Sequence, residues 1–308
     1  MSARTVLLAS PRSFCAGVER AITIVERLLD RAGPPVYVYH HIVHNLHVIE
    51  RLRGKGAVFV DDVDEVPDGA TLVFSAHGVA PAVGSRARGR GLDPVDATCP
   101  LVAKVHSEVH RALKEDRHVI LIGHDGHDES DGVRGIDPER VTLVESTADV
   151  EELDLAGRDL AYACQTTLSQ TESAGIIAAL KQRYPDIEDP PSEDICYATT
   201  NRQNALSAVL AEADFALIVG SRYSSNTTRL WELARELNVE ARLIEDSGDI
   251  EPDWLDNKDK VALTAGASAP SELVDGVIER LAELGPIRVE ERTTAVETME
   301  FHLPGSLR

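Results

Sequence analysis

The chain has 308 residues, 43% hydrophobic and 27% charged, which is enough for two or three domains with cores of their own and excludes a disordered chain. Its formal net charge of −21 at pH 7 argues against nucleic acid or an anionic membrane as a partner, because such a surface repels both. No apolar run approaches the ~20 residues of a membrane span, and the opening residues Met1-Ser2-Ala3-Arg4-Thr5-Val6 lack a signal peptide's apolar stretch, so a cytoplasmic protein is expected.

Residues 5–10 form the first predicted strand, closed by Pro11. Cys15 follows, and Val18, Ile22, Val25 and Leu29 then recur at helical spacing until Gly33-Pro34-Pro35 breaks the pattern. A second strand at 36–39 runs into His40, His41, His44 and His47. After a helix and a strand at 57–60, the turn Pro67-Asp68-Gly69 leads into strand 71–74, which ends in Ser75-Ala76-His77-Gly78.

A similar plan restarts at Cys99, with Pro100 in the first helical turn, where its missing N–H leaves no bond unmade. Leu101, Val102, Val105, Val109 and Leu113 supply the apolar face of this helix. Strand 118–123 ends in His124-Asp125-Gly126-His127-Asp128-Glu129, and strands at 141–144 and 160–163 follow, the second running into Cys164-Gln165-Thr166-Thr167. The last third opens at Cys196, whose helix carries Ala205, Leu206, Val209 and Leu210. Strand 215–219 precedes Ser224-Ser225-Asn226, strand 261–263 precedes Thr264-Ala265-Gly266-Ala267-Ser268, and a short strand and tail run to Arg308.

Alternation of strands and helices predicts an α/β protein with mainly parallel sheets, and strands without polar alternation predict sheets covered on both faces. Three similar α/β domains are expected, at 14–98, 99–195 and 196–285, the third joined by the N-terminal strand 4–12, with 286–308 as a C-terminal strand and tail. Each domain opens on a cysteine at a helix start. There the helix dipole favours the thiolate, the form that binds metal.

Cys15, Cys99 and Cys196 therefore suit one metal centre with a coordination position left open; a set of buried apolar cysteines and a redox disulfide are the competing readings. Cysteines far apart and in no CxxC pair fit a reducing compartment. The polar clusters all follow the carboxyl ends of predicted strands, where open α/β sheets place their ligands. They offer histidines, hydroxyls, side-chain amides, helix starts and, in Glu129, an acid for proton transfer, a set suited to a phosphorylated or diphosphorylated small molecule. Neither GxxxxGK[ST] nor a GxGxxG after a strand is present, so nucleoside triphosphates and dinucleotides lack their usual support.

Nine stretches, in order, resemble one family. They are Cys15-Ala16-Gly17-Val18, Val43-His44-Asn45, the segments around His77, Cys99 and His124 to His127, Gln165-Thr166-Thr167-Leu168-Ser169, Asp194-Ile195-Cys196-Tyr197-Ala198-Thr199, Ser224-Ser225-Asn226 and 264–268. The family is that of the hydroxymethylbutenyl diphosphate reductases, the LytB-type iron–sulfur enzymes of isoprenoid synthesis. The resemblance implies a trefoil of three α/β domains around one 4Fe-4S cluster held by Cys15, Cys99 and Cys196, with ferredoxin or flavodoxin as electron donor. It also implies a diphosphorylated allylic alcohol as substrate, held by His44, His77, His127, Ser224, Ser225, Asn226 and Ser268, with Glu129 delivering protons and Thr166 orienting the hydroxyl.

The chain departs from the family pattern at Ser13, Tyr39, His41, Asp128 and Cys164, none of which removes a motif residue. An iron–sulfur sensor without catalysis and a zinc hydrolase using the same thiolates are the alternative functions. Retention of Glu129, Thr166 and the histidines speaks against the sensor.

Overall fold

The computed structural model describes residues 3–307; Met1, Ser2 and Arg308, which open the leader reading and close the predicted tail, lie outside the described residues. The first elements are β1 (Arg4–Ser10), α1 (Ala16–Ala32), β2 (Val36–Tyr39), α2 (Leu46–Gly54), β3 (Ala57–Val60), β4 (Thr71–Phe74), α3 (Pro81–Gly89) and β5 (Val95–Asp96). Next come α4 (Pro100–Lys114), β6 (His118–Ile122), α5 (Asp128–Arg134), β7 (Val141–Val144), α6 (Thr147–Glu152), β8 (Leu160–Cys164) and α7 (Gln170–Arg183). The chain closes with α8 (Tyr197–Leu210), β9 (Phe215–Val219), α9 (Ser225–Glu236), β10 (Ala241–Ile244), β11 (Lys260–Ala265), α10 (Ser271–Glu283) and β12 (Ile287–Thr293).

The strands form three sheets, ordered β10-β9-β11-β1-β12, β3-β2-β4-β5 and β7-β6-β8. Every pairing between named strands is parallel, as expected where each strand is followed by a helical crossover. The α/β class and mainly parallel sheets are thus present in this molecule.

The chain divides into two compact units. One comprises residues 1–16, 44–48 and 197–300 and contains the five-stranded sheet. Its β9 is buried at every position, and Leu206, Val209 and Leu230 pack on one face while Val274, Val277 and Leu281 pack on the other. That two-sided burial explains why the run reads as continuously apolar. β12 carries Arg288, Glu290, Glu291 and Arg292 and pairs with β1 from Arg4↔Ile287 to Ser10↔Thr293, so the sheet ends on a charged edge strand that resists further pairing.

The other unit comprises 17–43, 49–196 and 301–308 and contains the four- and three-stranded sheets. In the latter, Ile120 and Ile122 face a cluster with Tyr162, Cys164, Ile176 and Leu180, while Val119 and Leu121 face Val105 and Val109 of α4. The predicted apolar face of α4 is therefore the buried one, with Leu101 only partly covered. No helix among the described residues is long and apolar enough to cross a membrane.

Candidate active site

All four cysteines are thiols, so the disulfide reading finds no support. Cys15, Cys99 and Cys196 are partly exposed and immediately precede α1, α4 and α8, whereas Cys164 is buried within β8. Burial, reinforced by Asp194, pushes the Cys164 thiol well above its ordinary range, which keeps it protonated and apolar in character. Cys99 caps α4 with Pro100 in the first turn.

Each cysteine amide is also tied to the loop at a strand end. The Cys15 N–H donates to the Ala267 carbonyl (3.2 Å), that of Cys99 to Ala76 (2.9 Å) and that of Cys196 to Thr166 (3.0 Å). The thiols and the polar clusters are thus joined locally by backbone hydrogen bonds.

In the unit with two sheets, the loop after β6 and the loop after β8 build a buried acid. Glu129 is 2% exposed, and one carboxylate oxygen accepts the Thr166 N–H (2.7 Å) while the other accepts the Thr166 hydroxyl (3.1 Å). Burial pushes its carboxyl up to about 7, against those two hydrogen bonds and with a further push from Asp194. A carboxyl poised near neutrality is suited to proton donation.

Gln165 organises the surroundings of that acid. Its Oε1 accepts from the His124 N–H (3.0 Å) and the Ser130 hydroxyl (3.2 Å), and its Nε2 donates to Thr167 Oγ1 (2.9 Å). Gly123 permits this approach, because a Cβ there would lie 2.6 Å from Ser130 Oγ and 3.3 Å from Gln165 Oε1.

His127 caps α5 by accepting the Glu129 N–H at Nδ1 (3.2 Å), an arrangement that leaves the ring proton on Nε2. His77 lies edge-on to His127 with ring centroids 5.8 Å apart, and its Nδ1 is 3.5 Å from Ser75 Oγ and 3.7 Å from Asp128 Oδ2. Asp128 also meets His40 Nδ1 at 2.7 Å, and this hydrogen bond raises the His40 pKa despite partial burial. No motif in the sequence assigns His40 a role. Its partner stands 88 residues away, so no local pattern could announce the pair.

The five-stranded unit gathers Cys15, His44, Ser224, Ser225, Asn226 and Ser268. Ser268 donates to the His44 carbonyl (3.1 Å) and lies 3.2 Å from Ser224 Oγ; Ser224 caps α9 by accepting the Thr227 N–H. Asn226 Oδ1 accepts the Ala267 N–H (2.8 Å), and Ser225 opens α9. Two glycines make the loop approach possible. A Cβ at Gly266 would sit 2.0 Å from Thr227 Oγ1, and one at Gly220, whose φ is +143°, would sit 2.7 Å from the same atom.

Taken together, the described side chains comprise three thiols at helix starts, one acid held near neutrality, and imidazoles and hydroxyls at strand ends. A family model described as LytB protein matches residues 6–282 of the chain. The chain belongs to the LytB family. A relative in Mycobacterium bovis named 4-hydroxy-3-methylbut-2-enyl diphosphate reductase 2 is 54% identical to this LytB protein, covering 99% of the chain and 94% of the relative. Among solved structures, the E-1-hydroxy-2-methyl-but-2-enyl-4-diphosphate reductase from Plasmodium falciparum superimposes with a TM-score of 0.96 at 39% identity, covering 99% of this chain and 97% of that one. A second, titled (E)-4-hydroxy-3-methyl-but-2-enyl diphosphate reductase, the terminal enzyme of the non-mevalonate pathway, matches with a TM-score of 0.65 at 29% identity over 91% of this chain and 99% of that one.

Proposed function

We propose that this LytB protein reductively dehydroxylates (E)-4-hydroxy-3-methylbut-2-enyl diphosphate to isopentenyl and dimethylallyl diphosphate, the last step of the non-mevalonate route to isoprenoids. Its relatives' names support the reaction, and one observation in the chain itself carries it: Glu129 is a fully enclosed acid held near neutrality beside the Thr166 hydroxyl. Loss of an allylic hydroxyl as water needs such a donor, because hydroxide is a poor leaving group at neutral pH.

LytB reductases depend on an iron–sulfur cluster, and the donor set fits one: three thiols at helix starts, with Cys164 set apart in an apolar core where a thiolate is disfavoured. We assign Cys15, Cys99 and Cys196 as the residues that would hold a 4Fe-4S cluster, which when bound would supply electrons and Lewis-acid polarisation of the C–O bond. The reducing compartment that such thiols require supports a cytoplasmic location.

The remaining roles fall to the protein's own groups. The Thr166 hydroxyl orients the substrate hydroxyl, and the protonated Glu129 carboxyl passes its proton to Thr166 Oγ1, 3.1 Å away, as that hydroxyl turns to accept from the carboxyl and gives its own proton to the substrate. His127, with its proton on Nε2, and His77 donate to diphosphate oxygens, as do His44, Ser224, Ser225, Asn226 and Ser268. The acidic surface makes such local donors necessary, since the net charge repels an anionic substrate. Electrons come from a small one-electron carrier of the ferredoxin or flavodoxin type.

The test is Glu129→Gln in anaerobically purified enzyme. Cluster absorption and substrate binding should persist while turnover falls by about 10²-fold or more. Steady-state rates near those of the unsubstituted enzyme would refute the assignment.

A further inference from the structure

The helices that follow the three cysteines each carry a cation about one and a half turns in: Arg20 and Lys104 five residues after Cys15 and Cys99, and Arg202 six after Cys196. A cation near a helix N-terminus opposes the helix dipole, so helix stability does not account for it. Helical side chains lean toward the N-terminus, which aims these three back at the loops around the helix starts.

The hydrogen bonds show where they end. Arg20 donates to the carbonyls of Ala97 (3.2 Å) and Thr98 (3.0 Å), the two residues before Cys99. Lys104 donates to the carbonyls of Ser192 (3.0 Å) and Glu193 (2.8 Å) and to Asp194 Oδ1 (3.0 Å), in the loop that delivers Cys196. Arg202 donates to the carbonyls of Ser13 (2.6 Å) and Phe14 (3.2 Å), the two residues before Cys15. The helix after each cysteine therefore grips the segment before the next one, in the cyclic order 15, 99, 196, 15.

These grips are anchored in turn. Asp194 is fully buried, and its second oxygen accepts the Cys164 N–H (2.8 Å), fixing the Cys196 loop to β8. Arg202, also fully buried, is paired with Glu297 Oε1 (3.0 Å). Arg20 adds the His302 carbonyl (2.9 Å), so the segment after β12 is held with it.

We propose that Arg20, Lys104 and Arg202 are positioning residues that fix the backbone approaching each thiolate and place positive charge beside an anionic cluster. The inference rests on the reading of the three cysteines as cluster ligands. Outer groups that orient metal ligands are typically worth about 10- to 100-fold in metal retention. Positive charge near a cluster also favours its reduced form.

Because Arg202 is itself wholly buried, the test uses the partly exposed Arg20 and Lys104; Asp194, the partner of Lys104, still accepts the Cys164 N–H when the lysine is gone. Holoenzymes carrying Arg20→Met, Lys104→Met and Lys104→Arg are compared with the unsubstituted enzyme. The readouts are amide exchange, the rate of iron loss to a ferrous chelator, and the midpoint potential from an EPR-monitored titration. Lys104→Met should speed exchange at 192–196 but not at 97–99, Arg20→Met the reverse, and each should lose iron about tenfold faster or more at a more negative potential. Lys104→Arg should restore the slower iron loss.

Values equal to the unsubstituted enzyme in any of the three measurements on the methionine variants, or no recovery with arginine, would overturn the proposal. Cys99→Ser run alongside separates the two readings. Full iron content in that variant would refute the ligand assignment, whereas loss of iron there with unaltered methionine variants would refute the positioning role alone.

Discussion

Replacing Glu129 with glutamine removes a proton-binding group from a site that is 2% exposed while keeping its shape and one of its acceptor oxygens. In the folded chain burial pushes the carboxyl up to about 7 from the ordinary 4.5. The folded state therefore holds a proton that the unfolded chain releases between those two values. Stability falls as pH rises through that window, and the loss is complete above it, amounting to about 3 kcal/mol by linkage. Glutamine carries no such penalty, and its carbonyl can still accept the Thr166 N–H.

The variant should match the unsubstituted enzyme in stability near pH 4 and exceed it by about 3 kcal/mol at pH 8. Urea unfolding of the anaerobic holoenzymes, followed by far-ultraviolet circular dichroism across that pH range, measures the difference. A difference that does not change with pH, or one that favours the unsubstituted enzyme at pH 8, would show that Glu129 is not held as a neutral acid.

Cys164→Ser should keep the cluster absorption, because the thiol lies in the β8 core, whereas Cys99→Ser should lose it; visible spectra of the anaerobic proteins decide. Gly266→Ala should lower stability by about 1–3 kcal/mol and raise the KM for substrate, since its methyl would meet Thr227 Oγ1 at 2.0 Å and push apart the loops bearing Ser224, Asn226 and Ser268. Thermal midpoints and steady-state kinetics check both effects. The His40–Asp128 pair raises the His40 pKa, so its contribution is fully present below the unfolded value of 6.5 and is lost as pH rises through the higher folded value. Asp128→Asn should accordingly destabilise the enzyme at pH 6 and leave it unchanged at pH 9, as read from the thermal midpoint at each pH.

Much of the fold was legible because its strands are short, fully covered and apolar. β6, β8 and β9 are buried at every position, so nothing in them had to alternate. β10 and β5 escaped notice for the opposite reason. Ala241-Arg242-Leu243-Ile244 carries a charge at mid-strand, and Val95-Asp96 is only two residues long, so both exist through their pairing with β9 and β4. The register of β12 on β1 is likewise invisible locally, since it joins segments at opposite ends of the chain.

The candidate site was legible as residue types at strand ends, but not as environments. Glu129 is legible as a proton donor at a strand end, but its two contacts with Thr166 exist only once the loops after β6 and β8 meet. Asp128, noted only as a departure from the family pattern, gains meaning from His40 and His77 on other loops. Arg20, Lys104 and Arg202 read as ordinary polar positions on amphipathic helices, and their carbonyl partners lie 77, 88 and 189 residues away.

Cluster-dependent reduction of a diphosphorylated allylic alcohol, the function proposed for this chain, can be assayed in a single sample. Anaerobically reconstituted enzyme, given (E)-4-hydroxy-3-methylbut-2-enyl diphosphate and a one-electron reductant, tests it most directly when the products are identified and iron is counted in the same sample. Isopentenyl and dimethylallyl diphosphates should form in proportion to loaded enzyme, with none from the Cys99→Ser protein. Unchanged substrate in the presence of a full complement of iron would contradict it.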